Sequence, residues 1–214
     1  MSENDIQFVP GNYFDKYRSR SLIHRRLVSG FHACANRLLN GVKFDRVIEI
    51  GCGPGDLAAE LFLKRIPSKD KYLGFDLSAS EIELATQRYP TLFFSQGSAY
   101  GIPVESGSAD LVICCEVLEH LDSPDQAIEE ISRITRRWCL ISVPHEPIWR
   151  ILNVLRGKYL LNLGNTPGHL QHFTRDQISK LVERNFSVTA IKSPFPWTMI
   201  LAEKHQNRTC GVQR

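Results

Sequence analysis

The chain has 214 residues, 43% hydrophobic and 23% charged, with a formal net charge of +3. That is enough apolar mass for one sizeable core and too little positive charge to indicate nucleic acid as a partner. No apolar run reaches the ~20 residues a membrane span needs, and the polar, acidic start lacks a signal-peptide core, so the expectation is a cytoplasmic protein. Residues 1–12 read as an arm or loop around Pro10-Gly11. From Tyr13 the apolar positions take helical spacing (Tyr13, Phe14, Tyr17, then Leu22, Ile23, Leu27). A second helix is predicted from about Leu27 to Leu39, ended by Asn40-Gly41. Arg18, Arg20, Arg25 and Arg26 make this region basic, which fits a solvated helix face. The cysteines Cys34, Cys52, Cys114, Cys115, Cys139 and Cys210 are scattered, with no C-x-x-C pair. Neither a zinc ribbon nor a redox motif is suggested.

The most informative stretch follows, Arg46-Val-Ile-Glu-Ile-Gly-Cys-Gly-Pro-Gly-Asp56. Val47, Ile48 and Ile50 predict a buried strand. Gly51, Gly53 and Gly55 alternate after it, and Leu57, Ala58, Ala59, Leu61 and Phe62 resume at helical spacing, to about Lys64. Glycines in such a turn permit unusual backbone dihedrals and close approach of a ligand, and the helix start offers unpaired N–H groups. The spacing is not the G-x-G-x-x-G of a dinucleotide site, because the third glycine comes one residue early. Nor is there the Gly-Lys-Ser/Thr ending of a P-loop. Glu49 would repel a pyrophosphate but could attract a cation. A glycine turn without any ligand is the plain alternative. Glu49-Ile-Gly-Cys-Gly-Pro-Gly55 resembles the first motif of the class I S-adenosylmethionine-dependent methyltransferases, acidic-x-Gly-x-Gly-x-Gly, at all four key positions. The resemblance implies S-adenosyl-L-methionine as cofactor, with Glu49, Gly51, Gly53 and Gly55 around it. It also makes the pre-strand region a cover, from which Tyr13 and Tyr17 would reach the methionine end; core packing is the equal rival for those rings.

Tyr72-Leu-Gly-Phe-Asp76 predicts a second strand ending on an acid, which can accept two hydrogen bonds from a ribose diol. The alternative is that Asp76 caps the next helix, a role open to Ser78 or Ser80 as well. The resemblance favours ribose binding by Asp76, with Leu77 and Ser78 beside the adenine. A helix from Ser80 to Arg88 and a third strand at Leu92–Phe94 follow. In Gln96-Gly-Ser-Ala99 the family commonly has Asp-Ala; here Ser98 replaces the acid, and Ala99 keeps its backbone N–H. Ile102-Pro103 resembles the family's Leu-Pro. Leu111 to Cys114 predicts a central parallel strand. The segment Asp-Leu-Val-Ile-Cys-Cys-Glu-Val-Leu-Glu-His-Leu121 resembles the family's post-strand-four motif in small-molecule enzymes. It resembles neither the nucleobase-amino motif nor the cytosine-carbon Pro-Cys type. The resemblance assigns Cys115 and His120 to the cofactor's surroundings; Glu116 and Glu119 are the other polar residues there. Asp122-Ser123-Pro124 opens a helix with core stripe Ala127, Ile128, Ile131 and Ile134. Trp138–Val143 predicts strand five. Thr174-Arg-Asp-Gln177 is a capping box, and Phe186–Ile191 and Trp197–Ala202 predict two final strands.

Residues 144–173 are too long for a plain loop. Ile148, Trp149, Ile151, Leu152, Leu155 and Leu160 recur at helical spacing, which predicts a cap shaping the acceptor pocket. With Arg150, Arg156 and Lys158 that cap could instead rest on a membrane surface. His145, His169 and His172 flank it. A methyl transfer to a hydroxyl needs the nucleophile aligned and its proton removed, and histidine titrates in the right range, so His145 and His169 are the first candidate bases, with His172 next and His120 after it. His169-x-x-His172 with His145 or Glu146 is a weak metal set, and no metal is expected. The combined expectation is a single domain over 1–214, with an N-terminal helical lid at 1–40 and a cap at 144–173. Strand–helix alternation predicts an α/β fold with a mostly parallel sheet; the resemblance makes it Rossmann-like and seven-stranded, with helices on both faces. The expected function is methyl transfer from S-adenosyl-L-methionine to a small-molecule acceptor, most readily an oxygen. The alternatives are an enzyme for a lipid-linked glycan or quinone at a membrane surface, or a non-catalytic cofactor-binding accessory protein. No oligomeric state follows from the sequence.

Overall fold

The computed structural model describes residues 22–63, 69–148, 152 and 169–205. Its strands are β1 (Val47–Ile50), β2 (Tyr72–Asp76), β3 (Phe93–Gln96), β4 (Ala109–Cys115), β5 (Thr135–Pro144), β6 (Phe186–Lys192) and β7 (Trp197–Lys204). They form one seven-stranded sheet in the order β3-β2-β1-β4-β5-β7-β6. β3 through β5 run parallel, and β7 is antiparallel to both neighbours. The chain winds outward from β1 in both directions, with β2 on one side and β4 on the other. Their junction is the switch point at which open α/β sheets bind ligands.

Strands β1 and β4 are buried on both faces and, but for Glu49 and Asp110, apolar, because both faces are covered. On one face α4 (Pro124–Ile134) and α5 (Arg175–Glu183) set Ile128, Ile131, Ile178 and Val182 against Ile48, Ile50, Val112 and Ile141. On the other, α1 (Leu22–Leu38) and α2 (Asp56–Phe62) set Phe31, Ala35, Leu38, Leu57 and Phe62 against Val47, Leu111, Ile113 and Leu140. The period of two along β1 puts Glu49 on this second face with Val47. The remaining helix, α3 (Ala79–Arg88), packs beside β2 and β3.

The strands predicted at 47–50 and 72–76 fall where expected, and the predicted capping box is present, with Thr174 and Gln177 bonding reciprocally. Several boundaries shift by one to three residues, β3 to Phe93–Gln96 and β4 to Ala109–Cys115 among them, and two differences have a clear local cause. The predicted joint near Leu27 does not exist, because α1 runs unbroken from Leu22 to Leu38. Gly30 lies inside it with open space where a Cβ would be, and the stop comes at Gly41, at φ +83. Strand β5 begins at Thr135 rather than Trp138, because Thr135 is already extended where it caps α4. Of the predicted N-terminal lid, the part from Leu22 onward is a core helix, with Phe31, Cys34, Ala35 and Leu38 buried. Tyr13, Tyr17 and the middle of the predicted cap (149–151 and 153–168) lie outside the described residues.

Candidate active site

The glycine turn is built by backbone geometry. Gly51, Gly53 and Gly55 have φ of +69°, +49° and +81°, values that side chains resist. Gly51 faces a second constraint: a Cβ there would stand 2.2 Å from Val117 Cγ2. The N–H groups of Gly51 and Cys52 both donate to the Phe75 carbonyl, at 2.7 and 2.9 Å, which continues the pairing of β1 with β2 into the turn. At the start of α2, Asp56 accepts from Tyr89 Oη at 2.7 Å and pairs with Arg88 at 3.2 Å. The end of α3 therefore clamps the exit of the turn.

Asp76, the last residue of β2, faces this turn. Its Oδ2 accepts from the Gly53 N–H at 2.8 Å and its Oδ1 from the Ser78 N–H at 2.9 Å. Helix α3 is capped by Ser78, whose hydroxyl accepts from Glu81 N, so capping does not occupy Asp76. Each carboxylate oxygen accepts one backbone bond and keeps capacity for another, which is what a ribose diol requires. Beside it Leu77 is 52% exposed. Gly97 N–H donates to the Asp76 carbonyl, which holds the 97–99 turn against β2. In that turn the Ser98 hydroxyl accepts from Tyr100 N, and Ala99 packs partly against the core. A Cβ on Gly53 would meet nothing within 4 Å, so the turn presents open space on that side. These features fit an adenosine-type ligand along the carboxyl edge of β1 and β2.

Glu49 lies beneath the turn, 2% exposed. Burial pushes its carboxyl pKa up to about 8; the hydrogen bond from Tyr72 pulls the other way, and Asp76 adds to the rise. Tyr72 Oη donates to Glu49 Oε2 at 2.7 Å. At neutral pH this carboxyl therefore mostly holds its proton. Any cation it attracts would have to draw that proton off.

Across the switch point the groups come from distant parts of the chain. Glu116 leaves β4 at φ +59, the one non-glycine positive φ among the described residues. Such backbone is costly and concentrates at functional sites. Its carboxylate accepts from Ser142 Oγ of β5 at 3.0 Å and from Trp197 Nε1 of β7 at 2.6 Å. Cys115, just before it, is buried with its thiol pKa pushed well up. The Glu116 arrangement was not expected from the sequence. Its visible signal was an acid at the end of an apolar strand; nothing in the sequence tied Trp197 to it.

The candidate histidines separate. His145, after β5, bonds through Nδ1 to Thr198 Oγ1 at 2.8 Å. His169 is instead drawn to His120, in the 3₁₀ turn Leu118–His120 after β4, with ring centroids 4.9 Å apart at 80°. Glu119 joins these two, not His172, His145 or Glu146, in the one His/Cys/Asp/Glu grouping with metal-site geometry among the described residues. His172 is half-buried at the approach to α5.

Comparison with known proteins agrees with this geometry. A family model described as "Methyltransferase domain" matches residues 48–141, the span from β1 into β5. An uncharacterized methyltransferase of Schizosaccharomyces pombe is 31% identical over 148 residues, covering 64% of this chain and 51% of the relative. A demethylmenaquinone methyltransferase of Chlorobaculum tepidum is 28% identical over 102 residues, covering 48% of this chain and 41% of the relative. The match thus spans about half or less of each of these relatives. Among solved structures, the PH0226 protein of Pyrococcus horikoshii superposes with a TM-score of 0.68 at 14% identity, over 90% of this chain and 95% of that one. The magnesium protoporphyrin IX methyltransferase of Synechocystis PCC 6803, solved with bound SAH, gives 0.65 at 18%, over 87% and 89%. These two share the fold.

Proposed function

We propose that the chain is a class I, S-adenosylmethionine-dependent methyltransferase, a reading supported by the "Methyltransferase domain" match over residues 48–141, and that it methylates an oxygen of a small-molecule acceptor. The observation that carries the reading is the meeting of Gly53 and Asp76 at 2.8 Å. It joins a glycine turn with open space to an acid that can still accept a ribose diol, at the sheet's switch point. S-adenosyl-L-methionine, when bound, supplies a methyl group on a positively charged sulfur that leaves without acid assistance. The protein's own tasks are then to grip and to deprotonate. Asp76 would hold the ribose hydroxyls, and the Gly51–Gly55 turn would lie along the cofactor. His145 is the proposed base. In the tautomer in which Nδ1–H donates to Thr198 Oγ1, Nε2 is the nitrogen left to take the acceptor proton.

Calorimetry with S-adenosyl-L-methionine and SAH, against NAD, tests the cofactor. Micromolar binding is expected, weakened at least ~10-fold in Asp76→Ala, since bonds to a charged group are worth about 1.5–3 kcal/mol each. Preference for NAD, or an unchanged affinity in the variant, would overturn it. Methyl transfer to a panel of phenols, sugars and quinols then separates an enzyme from an accessory protein.

One observation favours a lipid-borne acceptor as a second reading. Leu22 and Ile23 of α1 are 74% and 67% exposed beside Arg25 and Arg26, a pairing suited to an anionic lipid surface. Relatives include a demethylmenaquinone methyltransferase. No helix among the described residues is long and apolar enough to cross a membrane. Flotation with anionic vesicles tests this reading, and an unbound fraction unchanged by Leu22→Ser/Ile23→Ser removes it.

A further inference from the structure

Glu119, His120 and His169 each offer one ligand atom, and these atoms lie within 4.8 Å of one another. Two of the residues are adjacent, but the third arrives from fifty positions away. A stitched contact brings it there. Leu170 N and Gln171 N both donate to the Glu119 carbonyl, at 2.8 and 3.0 Å. Gln171 Nε2 adds a bond to the Leu121 carbonyl at 3.2 Å. The segment that carries His169 is thereby held along the 3₁₀ turn. The two imidazoles meet edge to face, and His120 Nε2 stands 3.9 Å from Glu119 Oε1. Glu119 is 1% exposed and His169 8%.

We propose that Glu119, His120 and His169 bind one divalent transition-metal ion. A buried carboxylate is retained in proteins where it is paired or coordinates a metal, and here a ring nitrogen of each imidazole lies within 4.8 Å of one of its oxygens. One carboxylate with two imidazoles is a donor set for zinc and for manganese, iron or cobalt. Magnesium and calcium, which take oxygen ligands, are disfavoured by the two ring nitrogens. Three protein ligands leave coordination positions open for water or for another ligand's oxygen. The turn also adjoins the glycine loop, because Val117, two residues before Glu119, fills the space over Gly51. An ion here would stand on the β4 side of that loop, able to hold an acceptor oxygen. That last consequence rests on the proposed methyl transfer; the ion's binding does not.

The test uses the full chain, free of any affinity tag and stripped with chelator. Titration with Co²⁺ is expected to give one equivalent per chain with a visible d–d band, displaced by Zn²⁺. His120→Gln and His169→Gln, each checked for fold by circular dichroism, should weaken Co²⁺ binding at least ~10-fold, the smallest effect usual even for residues that only support a ligand. His172→Gln should leave it unchanged. On the unaltered protein, pulsed EPR of bound Cu²⁺ should count two coordinated imidazoles, so the result does not depend on the variants folding. No stoichiometric Co²⁺ binding, equal binding by both variants, or fewer than two imidazoles would overturn the site. Cofactor calorimetry on the metal-free chain is read separately, so failure of the metal site leaves the methyltransferase reading where it stood.

Discussion

The two sides of the switch point are built differently. On the β2 side, backbone makes the site: three positive-φ glycines, N–H groups on the Phe75 carbonyl, and Asp76 holding Gly53 from only 23 positions away. On the β4 side, side chains make it: Glu116 reaches Ser142 at 26 positions and Trp197 at 81. A backbone site suits a ligand that does not vary, since its shape survives most side-chain changes. A side-chain site can be retuned residue by residue, which would suit the proposed acceptor.

If that contrast holds, damage should be unequal on the two sides. The largest effect is expected from Gly51→Ala. It places a Cβ 2.2 Å from Val117 Cγ2 at φ +69, and strained backbone with overpacking costs about 3 kcal/mol or more. Cofactor binding should vanish in calorimetry and the urea midpoint should fall. Gly51→Ala/Val117→Ala should recover part of the stability, and no recovery would mean that the backbone alone objects.

Glu49→Gln tests the buried acid under the loop. The folded chain keeps this proton up to about pH 8, whereas an unfolded chain releases it near the ordinary value of 4.5. The folded state therefore binds more protons across that window, and its stability declines as pH rises from about 4.5 to 8. At about 1.4 kcal/mol per unit, Gln should gain roughly 4 kcal/mol on the wild type over that range, in denaturation curves taken at each pH. A constant difference would show that Glu49 ionises normally.

The smallest expected effect, and the sharpest for the comparison, is Trp197→Phe. It keeps a ring against Phe31, 5.2 Å away, but removes the N–H donated to Glu116. Stability should drop by about 1–2 kcal/mol. S-adenosyl-L-methionine affinity should hold within about twofold while kcat falls several-fold. If affinity falls together with kcat, the two sides act as one site and the contrast fails.

Local pattern carried most of the sheet into the sequence reading. Val47–Ile50 and Tyr72–Asp76 are short apolar runs bounded by a glycine turn, by Asp76 and by polar residues, and their ends follow from local chemistry. The joint expected near Leu27 was misread because Gly30 and the basic stretch weaken the apolar stripe without breaking the helix. Thr135 was missed because a residue that caps α4 while starting β5 leaves no turn signal between them. His169 was paired with His172 by proximity in sequence. The structure groups it instead with Glu119 and His120, through the backbone bonds of Leu170 and Gln171.

The sequence by itself determined the alternation of strand and helix, the glycine turn, the acid that ends β2 and, through the family resemblance these carry, the cofactor class. Those features depend on neighbours within one strand–turn–helix unit, where residue spacing translates directly into geometry. Only the tertiary structure decided that burial raises the Glu49 carboxyl pKa beneath the loop, that Glu116 is held by Ser142 and Trp197, and that Glu119, His120 and His169 come together. Burial and contact across the sheet depend on strand order. In an order that runs β1-β4-β5-β7, residues far apart along the chain become neighbours by packing alone.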